Sequence, residues 1–165
     1  MKRNTGFTLI EVILVVAIIV ILTSSGLIVS INNLKVKSLE NAESMLKTGL
    51  IKARDEAFFG KKIAGCNDIF NGNTLKIEKD GKGYLYKIMC RCGVSEIENE
   101  RKYFGENILV EPVDGGIFFK TVKRDIDVTQ SFSVCINNGN NECDENFGKR
   151  VINVDNYGNF NYEKE

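Results

Sequence analysis

Two kinds of hydrophobic pattern divide the first part of the chain. From Phe7 to Ile31 apolar residues run almost without interruption, and Glu11 is the one charge among them. About 25 residues at about 1.5 Å rise cover roughly 37 Å, enough to cross a hydrocarbon core of about 30 Å. From Leu34 to about Phe58 the pattern turns one-sided. Leu39, Ala42, Leu46, Gly49, Ala53 and Ala57 recur at steps of three or four, and Met45 and Leu50 widen the stripe. Charges fill the other face, with Glu43 and Lys47 at the favourable four-residue spacing. Together the halves predict one long helix of about fifty residues, apolar all round at first and then amphipathic. A coiled coil is the structural alternative, but the stripe lasts only about three heptads and is rich in Ala and Gly. Gly26, preceded by Thr23, Ser24 and Ser25, is a weak point in the helix.

Beyond Phe58 the period changes. Gly60 and the turn-forming stretch from Gly65 to Asn73 end the helix. Thr74–Lys79 alternates, Asp80-Gly81-Lys82-Gly83 turns, and Tyr84–Met89 returns, which predicts a hairpin. That turn is too short for a phosphate loop and no helix follows it. Ser95–Glu106 is charged and reads as solvated. Ile108–Glu111, stopped by Pro112, is a short strand. Ile117–Lys123, Ser131–Ile136 and Val151–Val154 complete the set, with Tyr157-Gly158-Asn159 as the last turn. The strand aromatics read as core. The fold class expected is α+β, a long N-terminal helix packed by its second half on an antiparallel sheet domain.

Composition narrows the chemistry. At 165 residues there is room for one anchor and one modest domain. Basic and acidic residues balance at 22 each, so the basic surplus expected of a nucleic-acid binder is missing. Histidine and tryptophan are absent, which removes histidine general bases and histidine metal sites. Of the five cysteines, Cys135 and Cys143 bracket a polar loop and read as a stapled turn. Cys90 and Cys92 fall on one face of a strand, where one of them can pair elsewhere, for example with Cys66. Three cysteines there do not make a four-ligand metal site, and an odd count leaves a free thiol or an intermolecular bond. The connectivity stays open at this stage.

The N terminus carries the most specific pattern. Lys2-Arg3-Asn4-Thr5-Gly6 followed by Phe7-Thr8-Leu9-Ile10-Glu11-Val12 closely resembles the leader junction of type IV pilins and type II secretion pseudopilins. The resemblance implies a leader, residues 1–6, removed after Gly6 by a prepilin peptidase, and N-methylation of the new first residue, Phe7. It places Glu11 at the fifth mature position, the acid used in subunit assembly. The residues fit those roles. Gly6 has no side chain to obstruct an extended backbone in a protease cleft, and Lys2 and Arg3 hold the leader on the cytoplasmic side. In a filament of packed helices, Glu11 of one subunit pairs with the Phe7 amine of its neighbour and offsets the burial of both charges. An ordinary secretory signal, cut near Thr23-Ser24-Ser25-Gly26, leaves Glu11 unexplained, as does a plain membrane anchor. With Lys2 and Arg3 gone, the basic count falls from 22 to 20 against 22 acids, a net charge of −2.

Gly115-Gly116 with Ile117-Phe118-Phe119, then Ser131–Val134, and Arg150–Val154 with Gly158 show a looser likeness, in strand spacing, to GspH/FimT-type minor pseudopilins. Some relatives of that kind bind DNA through basic residues after the last glycine. Here Gly158-Asn159-Phe160-Asn161-Tyr162-Glu163 offers no arginine, which puts DNA uptake in doubt. The expectation is therefore a structural subunit of a type IV pilus, competence pilus or secretion pseudopilus, in four parts. These are the leader 1–6, a membrane or filament-core half-helix 7–31, an amphipathic half-helix 32–58 and a β-rich head 59–165. Its partners are the peptidase/methyltransferase, other pilin subunits, the assembly machinery and the cytoplasmic membrane, with the head outside the cytoplasm and no cofactor. The alternatives are a fibre-tip adhesin or DNA-binding minor pilin and, in another class, a membrane-tethered enzyme. The enzyme reading lacks any convergent acid, base or nucleophile in the sequence.

Overall fold

The computed structural model describes residues 8–61, 63–121 and 129–165, and for residues 24–29 the backbone alone. The chain forms two compact units, Met1–Val36 and Lys37–Glu165. One helix, α1 (Leu9–Phe58, 50 residues), begins in the first and ends in the second. Gly26 lies within it. Eight strands follow: β1 (Phe70–Asp80), β2 (Gly83–Cys92), β3 (Ser95–Tyr103), β4 (Ile108–Glu111), β5 (Gly116–Lys120), β6 (Gln130–Ile136), β7 (Lys149–Val154) and β8 (Phe160–Lys164). The molecule is of the α+β class.

In the first unit the described part is helical and its apolar side chains are bare. Leu9 and Ile10 are 81% and 73% exposed, and Val12 to Val16 and Ile18 to Leu22 remain open. Among the described residues no helix is long and apolar enough to cross a membrane.

In the second unit the strands form two four-stranded antiparallel sheets, ordered β3-β2-β1-β5 and β4-β6-β7-β8. The stripe of α1 expected to be core is core. Leu39, Ala42, Leu46, Leu50, Ala53 and Ala57 are buried and share one cluster with Leu75, Ile77 and Tyr86 of the first sheet. Phe132, Val134 and Ile152 of the second sheet belong to the same cluster. The helix closes in a Schellman motif, in which Lys61 N–H donates to Glu56 O at 2.9 Å and Gly60 N–H to Ala57 O at 3.1 Å.

Four readings of the strand region need correction. The stretch to Asn73 is not all turn, because β1 starts at Phe70 and carries a bulge between Phe70 and Gly72. Gly72 has φ +146°, and a Cβ there would lie 2.0 Å from the Phe119 carbonyl oxygen, so the glycine belongs to a close strand approach rather than a loop. Ser95–Tyr103 is solvent-exposed as expected, but it is also edge strand β3, paired to β2 from Leu85↔Tyr103 to Cys92↔Ser95. Its charges are spent on ion pairs, including Lys76–Glu96 at 2.6 Å and Lys102–Glu100 at 3.0 Å, and they guard an exposed edge against other chains. Tyr157–Asn159 is the last turn, but Val151–Val154 does not complete the set of strands, since β8 follows that turn and pairs with β7. The strand expected to reach Lys123 ends at Lys120; residues 122–128 lie outside the described residues.

Candidate functional site

The site built at the start of α1 begins with Thr8, the residue before the first helical one. Its backbone N–H donates to Glu11 Oε2 at 3.0 Å and its hydroxyl to the same oxygen at 2.9 Å. Glu11 N–H in turn faces the Thr8 hydroxyl oxygen at 3.4 Å. This is a capping box, in which side chain and backbone satisfy each other's unpaired groups at a helix start. Thr-x-x-Glu ahead of an apolar run is the sequence pattern of such a box, whereas the resemblance assigns Glu11 to subunit assembly alone and gives Thr8 no role. Gly6 and Phe7 lie outside the described residues. Farther along, the Thr23 hydroxyl donates to Ile19 O at 2.8 Å and Val20 O at 3.1 Å, so this polar group in an apolar segment is satisfied within its own helix.

Residues 1–27 match the model of the prokaryotic N-terminal methylation motif. The chain carries a prepilin-type N terminus. That motif is the hallmark of type IV pilin and pseudopilin precursors, and it implies processing by a prepilin peptidase and assembly with other pilins. It covers the start of the prepilin-type chain and not the head. No curated protein and no solved structure matches the chain.

The head places the cysteines in two groups. Cys135 of β6 and Cys143 form a disulfide across the polar loop, beside an Asn137↔Cys143 bridge. Cys66, in the connection between α1 and β1, forms a disulfide with Cys92 at the end of β2. Cys90 keeps a free, buried thiol, 3.4 Å from Cys92 Sγ. The three sulfurs of this second group lie within 4.8 Å of one another. Two of them are bonded to each other, so one thiol remains for any metal.

The segment after Gly158 is committed to the helix. Arg54 donates to Gly158 O at 3.1 Å and its guanidinium sits 4.9 Å from the Phe160 ring. Lys47 Nζ lies 3.7 Å from the Tyr162 ring. The cation at position 47 therefore serves β8, and Glu43, expected to face it, instead meets Arg150 of β7 at 3.4 Å. That contact is an ion pair without hydrogen-bond geometry at Nε.

Proposed function

We propose that this chain is a structural subunit of an extracytoplasmic fibre, a minor pilin or pseudopilin. The peptidase removes residues 1–6 after Gly6, Phe7 is N-methylated, and residues 7–31 first anchor the chain in the cytoplasmic membrane with the head outside. The half-helix then moves sideways into a filament core, residues 32–58 join it to the head, and residues 59–165 face outward. The observation that carries this reading is the methylation motif at residues 1–27. The bare apolar surface from Leu9 to Leu22 supports it, since such a surface needs lipid or other helices to cover it.

Exchange of lipid for helix contacts brings little hydrophobic gain, so packing and a charge pair must supply specificity. Both Thr8 contacts fall on Oε2 of Glu11, and a carboxylate offers about four lone-pair sites. Glu11 thus keeps capacity for the Phe7 amine of a neighbouring subunit while still capping its own helix. The structural role is favoured over DNA uptake because Phe160 and Tyr162 already hold helix cations, and the processed chain has no basic surplus.

Mass spectrometry of the exported chain tests the reading. The first residue is expected to be N-methylated Phe7, and Gly6→Val is expected to retain the leader. Any other first residue, or normal maturation of Gly6→Val, overturns it.

A further inference from the structure

The second unit contains a cluster of three cysteines to which the proposed function assigns no role. Cys90 lies on β2, opposite Asn73 of β1 and Ile97 of β3, and is fully buried. Its thiol touches the disulfide between Cys66 and Cys92, at 3.4 Å from Cys92 Sγ, within the roughly 3–3.5 Å of a near-attack contact. The partners of that disulfide are unequal. Cys92 is 2% exposed on the strand, whereas Cys66 is half-buried among exposed Ala64, Gly65, Asn67 and Asp68.

We propose that Cys66, Cys90 and Cys92 form a thiol–disulfide exchange site, in which Cys90 attacks Cys92 and releases Cys66 as a surface thiol. The step is an isomerisation. Cys90 loses its proton to solvent and its sulfur bonds to Cys92 Sγ. The Cys66–Cys92 bond breaks, its electron pair leaves on Cys66 Sγ, and that sulfur takes up a proton. No oxidant or reductant is consumed. The product requires the end of β2 to bend, because residues two apart on a regular strand stand about 6.6 Å apart with parallel side chains and a disulfide needs Cβ atoms within about 3.5–4.5 Å. Cys92 is the last residue of that strand and Gly93, with φ +60°, turns the chain directly after it, so the bend falls at a strand end.

The direction of attack follows from contact and from freedom to leave. Cys92 Sγ is the sulfur touching the thiol, and Cys66 sits on an exposed connection that can draw its sulfur away. The exchange is slow rather than absent. Burial is the main cause holding the Cys90 thiol above its usual range. A backbone hydrogen bond at Ile63 works against that, and the Glu56 charge adds to it. Uncatalysed rearrangement over minutes to hours is the expected regime. Once free, Cys66 is a nucleophile for a disulfide on a second chain: it bonds to one partner sulfur and the other leaves as thiolate.

The test uses the full processed chain in detergent, without reductant, held for hours at mildly alkaline pH with iodoacetamide as an irreversible trap. Trypsin cleaves after Lys87 and Arg91 and puts Cys90 and Cys92 on different peptides, so each isomer gives its own linked pair. The expected result is alkylated Cys66 together with a Cys90–Cys92 linkage, and at least ten-fold less Cys66 label in Cys90→Ser. The same incubation with glutathione disulfide in place of the trap is expected to leave glutathione on Cys66. Label on Cys90 or Cys92, or no label on the wild-type chain, overturns the proposal and leaves Cys90 as a space-filling core residue. The wild-type result decides even if Cys90→Ser does not fold.

Discussion

Gly49 of α1 and Tyr86 of β2 are packed so closely that a Cβ on Gly49 would lie 2.9 Å from the Tyr86 ring carbon Cζ. Tyr86 cannot easily give way. It is 1% exposed, its hydroxyl donates to Glu100 at 3.2 Å, and Leu75 presses the same spot at 3.2 Å. Replacing glycine in a helix ordinarily gains up to about 1 kcal/mol for alanine and less for a β-branched residue. Overpacking a core costs about 1–3 kcal/mol. Gly49→Val is therefore expected to destabilise the head by about 2 kcal/mol, measured as a lower denaturant midpoint with the slope unchanged. A midpoint at or above that of the wild type contradicts this packing.

The same tyrosine leads to a pH dependence. Glu100 accepts from Tyr86 and meets Lys52 and Lys102. Burial alone would raise its carboxyl, but hydrogen bonds from Lys52 and then Lys102, with their charges, outweigh that and hold it below its ordinary value of 4.5. A depressed folded value means that the unfolded chain binds the proton more readily. The contribution is complete above about 4.5 and is lost as the pH falls through the lower folded value. Burial, then the Glu100 charge, keeps the Tyr86 phenol protonated well above its usual range, so no opposing loss arises from that partner near neutrality. Glu100→Gln is expected to cost about 1–2 kcal/mol at pH 7, between an exposed pair and a fully buried one, and much less below pH 4. Chemical denaturation of both proteins across pH 3–7 checks it; a constant difference refutes the assignment.

How far the sequence carried depended on whether a residue's role was local. The stripe from Leu39 to Ala57 and the hairpin around Asp80–Gly83 were readable because helix period and turn chemistry act within a few residues. The strand β3 was not, because Ser95–Tyr103 shows no apolar alternation. It is a strand by virtue of β2 beside it, and its acids meet Lys52 of α1, Lys76 of β1 and Arg91 of β2. Glu43 shows the same limit. The spacing to Lys47 was sound helix reasoning, yet Arg150, far away in sequence, supplies the partner. The pairing of Cys66 with Cys92 rather than Cys90 depends on the end of β2 meeting the α1–β1 connection, which no spacing rule contains. At the N terminus the box of Thr8 and Glu11 was wholly local, and only its threonine went unread.

That box allows the two roles of Glu11 to be separated. Thr8→Val removes the hydroxyl donor and cap but leaves the charge, so the helix start loses about 1 kcal/mol and fibre incorporation is expected to stay near normal. Glu11→Gln does the reverse, since glutamine can still reach back in a capping box but carries no charge to meet the Phe7 amine of the next subunit. Glu11→Val loses both. If assembly depends on the charge pair, Glu11→Gln and Glu11→Val fall together by at least ten-fold in sheared fibres, with both precursors still inserted and cleaved. If it depends on the cap, Thr8→Val falls with Glu11→Val while Glu11→Gln is spared. Quantifying the three variants in fibres, against the mature protein left in membranes, distinguishes the two. Normal incorporation of Glu11→Gln refutes the charge pair.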